Sequence, residues 1–192
     1  KQDTLVDYLL RLFAIFGVAV PTFFIGTLFV IYGSRWFSYA PPTGIPYIWQ
    51  DPFRSFSAFI PPALILGYSL SAVTMRMMRS TLLEVLRQDY VRTARAKGLP
   101  GRNVITRHAF RNALIPVITI VGNQAGFLLG GSLIVERIFN IPGMGWLAFA
   151  AIADRDYTQV MATTLMLTVG VITINLVVDV CYAIIDPRIR YS

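Results

Sequence analysis

Residues 90–116, YVRTARAKGLPGRNVITRHAFRNALIP, form the only long polar stretch between apolar segments of bilayer length. The stretch carries Arg92, Arg95, Lys97, Arg102, Arg107 and Arg111, and no carboxylate. Widened to residues 76–111, it holds nine Lys and Arg against Glu84 and Asp89. Cationic loops stay on the cytoplasmic side of a membrane, so this bias places the loop there.

The apolar segments around it set the fold class. Hydrophobic residues make up 55% of the 192 and charged residues 14%, where a soluble domain carries about 25% charge. About 20 mainly apolar residues cross ~30 Å of hydrocarbon. Four stretches qualify: 12–33, 58–78, 113–135 and 158–185. The expected fold is an all-α, polytopic helical membrane protein. Residues 1–11 are a cytoplasmic lead to a transmembrane domain over 12–192, with a cytoplasmic loop at 79–112 and outer loops at 34–57 and 136–157. Four spans put both ends of the chain inside.

The net charge of +7 would suggest nucleic acid in a soluble protein. Here most of it sits in one inter-span loop, so no nucleic-acid partner is expected and membrane lipid is. Cys181 is the lone cysteine and has no intrachain partner. His108 stands alone among basic residues, so no metal cluster is expected. No phosphate-binding GxxxxGK[ST] loop, nucleophile elbow or HExxH is present, so no catalytic residue is assigned and the chain should not hydrolyse ATP itself.

Within the spans, Pro21 should kink the first. Pro61 and Pro62 suit the start of the second. Gly122, Gly126 and Gly130 lie four apart on one face of the third, a spacing that admits a close neighbouring helix. Asn123 and Gln124 place amides near mid-bilayer, either as interhelical bonds or as pathway lining. Asp179 is the one carboxylate within a span. It is either a relay for a coupling ion or a group near the inner headgroups bonded to a neighbouring helix or arginine. In the second outer loop, residues 146–153 read as a short interfacial or re-entrant helix.

The basic loop reads as helix–turn–helix. Good helix formers run over 84–97. Gly98 follows where helices end in a left-handed residue, and Leu99, Pro100 and Gly101 make the turn. Ala94 and Ala96 are small and would let another surface approach, with arginines around the contact. Charge alone also fits a loop resting on anionic lipid, at about 1 kcal/mol per cation. Charge does not require the Gly-Leu-Pro-Gly turn, which favours a docking element.

At this stretch the sequence resembles the integral-membrane permease subunits of ABC importers, nearest the dipeptide/oligopeptide/nickel branch. YVRTARAKGL is similar to that branch's EAA loop, with Gly98 as the central glycine. VPTFFIG at 20–26, SLIVERIFNIPGMG followed by RDY, and NLVVDVCYAIIDPRIRY resemble further motifs in the same order. The sequence departs from the general EAA pattern. Arg92 or Thr93 takes the glutamate's place, and Arg111 stands where the distal proline falls, with Pro116 five residues on. Family members have about six spans. The start KQDTLVDYLL has no initiator Met, so two N-terminal spans are expected to precede it.

The resemblance implies a permease subunit of an ATP-driven peptide importer in a bacterial or archaeal inner membrane. Its implied partners are a second permease subunit, two ATP-binding subunits and an extracytoplasmic solute-binding protein. ATP and Mg would be bound by the ATPase subunits, and this chain would bind no cofactor. Tyr90, Arg92, Ala94, Arg95, Ala96, Lys97 and Gly98 would couple to the ATPase, and Arg102 to Arg111 would support the passage into the third span. The third span and Glu136 would serve packing or the pathway. From the residues alone, two other readings stand: an ion-coupled secondary transporter using Asp179, and a membrane-anchored scaffold with a polybasic loop.

Overall fold

Prolines and aspartates set several helix ends in the computed structural model, which describes residues 4–185. The Thr4 side chain accepts from Asp7 N and opens α1, Leu5–Ala19. Val20 precedes a proline and is therefore pushed to extended backbone, φ −94° and ψ 121°, which ends the helix. Pro21 is itself extended, and α2, Thr22–Phe37, starts after it. The two helices meet at 95°. The single kinked span expected over 12–33 is thus corrected to a broken pair. The proline lies between two helices rather than inside one, and the expected polar lead 1–11 is helical from Leu5.

α3, Pro52–Val85, is capped by Asp51, whose carboxylate accepts from Arg54 N at 3.0 Å. Pro61 and Pro62 lie inside α3, not at its start, because Asp51 and Pro52 already supply the cap and the first turn. At 1.5 Å per residue, α3 is about 51 Å long and outruns ~30 Å of hydrocarbon. The expected end near residue 78 marks a change in polarity, with no helix breaker there. α4, Asp89–Ala96, follows a break at 86–88, so the helix expected over 84–97 is two pieces.

The chain then runs helically from α5, Gly101–Asn103, through a π-helical turn, Val104–Ala109, into α6, Phe110–Gly131. Ser132 breaks the run, and α7, Leu133–Ile138, and α8, Met144–Ala153, fold against each other. The last helix is α9, Tyr157–Ile185. No strand occurs among the described residues. Among the described residues three helices are long and apolar enough to cross a bilayer: α3, the run from Gly101 to Leu129, and α9. The α1–α2 pair is a fourth only as a broken span.

Close helix contacts use small residues. Gly17 of α1 leaves no room for a side chain beside Ala72 of α3, and Tyr68 donates to Phe13 O at 3.0 Å. Asp7 accepts from Arg79 at 3.1 Å and from Arg11 at 2.7 Å, which ties the loop ends of α1 and α3. Gln124 receives the Thr74 hydroxyl at 3.2 Å and donates to Leu70 O at 3.4 Å, joining α6 to α3. Gly122 lies against Val178 and Gly126 against Val171, so α9 runs antiparallel to α6. Gly130 is in the last turn of α6, and its surroundings lie outside the described residues, as do Arg188 and Arg190.

Candidate functional site

The loop between α3 and α6 is built on a small apolar core. Val91 and Ala94 lie three apart on α4 and so share a face. Together with Val104 they are buried, and Val85 and Leu86 pack against them. Outside that core α4 leaves Arg92, Thr93, Arg95 and Ala96 exposed, and Lys97 follows, also exposed, at its C-cap. Ala94, whose small size would let another surface approach, is buried within the chain instead. Its small size lets α4 lie close to the helix that begins at Gly101. The i, i+3 pair of Val91 and Ala94, with Val104 beyond the turn, was the signal for this.

Gly98 ends α4. Its φ is +78°, the left-handed region that a side chain disfavours. Gly98 N bonds Arg95 O at 2.9 Å and Leu99 N reaches Ala94 O at 3.4 Å. This is the paired Schellman closure, which satisfies carbonyls that a helix end otherwise leaves open. No atom lies within 4 Å of where a Gly98 side chain would begin, so the constraint is conformational alone.

Three polar links carry the loop into the spans. Asn112 donates to the Tyr90 hydroxyl at 2.9 Å, tying the start of α4 to the start of α6. Thr81 donates to Ala113 O at 3.3 Å, and Arg111 to Ile184 O at 3.3 Å. Hydrogen bonds thus join α4 to α6, and α6 to α3 and α9. The Asp89–Arg92 ion pair at 3.7 Å is wholly exposed and contributes little. The side chains of Arg107 and His108 lie outside the described residues.

At the other end of α6, Glu136 is buried. Its carboxylate accepts from the Ser132 hydroxyl and from Trp146 N at 2.8 Å, in the first turn of α8. A carboxylate there also meets the positive end of the helix. Gly143 leaves no space for a side chain beside this carboxylate, and at Gly145 a Cβ would lie 3.2 Å from it. Arg137 stacks over the Trp146 ring at 3.5 Å. The glycines of the run NIPGMG thus enclose a fixed acid, a pairing that the sequence signalled only as Glu136 followed by two closely spaced glycines.

The remaining polar residues in the spans divide. Gln124 is bonded between helices as described. Asn123, one residue away, is exposed, as is Asp179 on α9. The bond between Asp7 and Arg79 was not read from the sequence, because the partners lie 72 residues apart.

The family model described as "Binding-protein-dependent transport system inner membrane component" matches residues 1–191. A Brucella suis biovar 1 (strain 1330) protein named as a peptide permease protein is 39% identical over 200 residues, covering 100% of this chain and 61% of that protein. The glutathione transport system permease protein GsiC of Escherichia coli (strain K12) is 42% identical over 186 residues, covering 97% of this chain and 58% of the relative. The chain thus spans about three fifths of the length of these relatives. With a match along nearly its whole length and motifs in the same order, the chain belongs to the family of binding-protein-dependent transport system inner membrane components.

Proposed function

We propose that this chain is the permease part of an ATP-driven importer of peptides, and that α4 is the element that docks on a separate ATPase subunit. The observation that carries this is the construction of α4. It shows four polar or small residues outward and is clamped inward by Val91 and Ala94, closed by Gly98, and bonded to α6 through Tyr90. A loop that merely rests on lipid needs cations but no such rigid mounting. In this reading the loop faces the cytoplasm with both chain ends. A second permease subunit completes the pathway, two ATPase subunits bind ATP and Mg, and a solute-binding protein delivers substrate outside. Peptides are the substrate class because the relatives are named for peptides and for glutathione, itself a small peptide.

The test is reconstitution of the whole transporter. Arg92→Glu with Arg95→Glu should leave the permease inserted while the ATPase subunits no longer co-purify. Gly98→Pro, which removes the N–H bonded to Arg95 O, should abolish coupled ATP hydrolysis. Wild-type co-purification and coupling in both variants would overturn the docking role.

A further inference from the structure

We propose that the groove between α1 and the loop-side half of α3 holds an anionic phospholipid, with its phosphate on arginines and an acyl chain along the helices. The two helices run antiparallel, with Gly17 against Ala72 toward the bilayer and Asp7 beside Arg79 at the loop end. Between them lies a groove of about 880 Å³, within the ~300–1,000 Å³ of ordinary ligand pockets. Leu10, Ala14, Ile15, Met75 and Leu83 give it apolar walls. Arg11, Arg76 and Arg79 also line it, and Asp7 is the one acid among the lining residues, which leaves two positive charges. Residues 58–78 cover about 32 Å at 1.5 Å per residue, roughly the thickness of the hydrocarbon. Arg76 and Arg79 therefore stand at headgroup level. That this leaflet is the inner one rests on the cytoplasmic placement of the loop; the groove itself does not.

The arginines are held open to a ligand. Asp7 is turned inward, with 13% of its side chain exposed, and positions Arg11 at 2.7 Å and Arg79 at 3.1 Å. The side chains of those two arginines stay 38% and 40% exposed. Arg76 is exposed and lies one turn from Arg79, and like charges at that spacing repel each other. An anion between them relieves the repulsion. Helical side chains lean toward the N-terminus of their helix, so those of Leu82 and Leu83 cover the turn that carries Arg79. Apolar surface thus flanks the cations on both sides. A hydrated ion gains nothing from that surface, whereas an amphiphile does. Basic pockets between helices at the cytoplasmic side take anionic headgroups, and the walls at Ala14, Ile15 and Met75 take the chain.

The experiment titrates phosphatidylglycerol onto the delipidated full-length protein, with whatever subunits accompany it, and counts bound lipid by native mass spectrometry. Arg76→Gln should weaken the tightest site about five-fold, the equivalent of ~1 kcal/mol for one cation near the surface. Ile15→Trp, which fills the groove and keeps every cation, should weaken it as well. Arg87→Gln removes an exposed cation just beyond α3 and outside the groove, and should leave the site unchanged. Inorganic phosphate should not displace the lipid. If Ile15→Trp fails to assemble, the contrast between Arg76→Gln and Arg87→Gln carries the test. Equal losses in those two would show a general attraction to anionic lipid and overturn the proposal. Wild-type affinity in a groove variant overturns it too, as when another part of the full-length chain or a partner subunit covers the groove. Displacement by inorganic phosphate would make the arginines a site for a free anion and overturn it likewise. The measurement needs no ATPase subunit, so a failure of the docking role leaves this result standing.

Discussion

Two short helices in this chain hang between long ones, and each is held by glycine for an opposite reason. α4 ends on Gly98, where φ is +78° and there is free space around the missing side chain. α8 begins after Gly143, where φ is −100°, an ordinary value, and a side chain would strike the Glu136 carboxylate. The first glycine is required by the backbone and the second by its neighbour. The surfaces differ in the same way. α4 keeps its cations in the open around a three-residue buried core, whereas the α7–α8 turn buries its one acid against Gly143 and Trp146 N. On the docking proposal, α4 offers a partner exposed charge on a firm mount. A region that shapes the far end of a span needs a fixed internal contact.

The largest expected effect falls on the packed turn. Gly143→Val forces a branched side chain onto the Glu136 carboxylate and should cost about 3 kcal/mol, as severe overpacking does. Glu136→Ala leaves Trp146 N without its acceptor, at about 2 kcal/mol. Because both changes act on one contact, the double variant should be less destabilised than the sum of the two. Thermal unfolding of the purified protein in detergent would read this. Strict additivity would show that Gly143 and Glu136 do not share a contact, and the contrast between the two glycines would fail.

Gly98→Ala comes next. The space is free, so the only penalty is the left-handed backbone, about 1 kcal/mol, and Tm should fall by less than for Gly143→Val. Its effect on coupled ATP hydrolysis should exceed its effect on unfolding, since the closure of α4 fixes where the basic face points. A loss of stability equal to that of Gly143→Val would mean that the loop core depends on Gly98 as heavily as the turn depends on Gly143.

The two regions were not equally legible in the sequence. The end of α4 could be read because Gly98 sits after a run of helix formers and before Leu-Pro-Gly, a local signal. The left-handed φ at that position follows from chirality alone. Burial of Ala94 was not legible in the same way, since a small residue suits an external contact and an internal one equally. Only the partner across the turn, Val104, decides between them. The Glu136 clasp depends on a chain reversal that brings residue 143 onto residue 136, and periodicity carries no trace of it. The break at Pro21 was seen as a kink, because the sequence marks where a helix is disturbed but not by how much. Its 95° is fixed by what α2 packs on, including Phe139, which lies 3.3 Å from where a Gly26 Cβ would sit.

The smallest expected effect tests whether the charges of α4 serve the fold at all. Asp89→Asn removes the one carboxylate near Arg92, an ion pair at 3.7 Å with both side chains mostly in solvent. Exposed pairs of this kind contribute about 0–1 kcal/mol, so unfolding should be unchanged within error. Removing the acid also raises the positive charge on the outward face by one. Capture of an acidic docking surface should then become slightly tighter at low salt and indistinguishable from wild type at high salt, where exposed charges are screened. A clear drop in Tm would instead make the Asp89–Arg92 pair part of the mount. The separation between a buried apolar mount and an exposed charged face would then no longer describe α4.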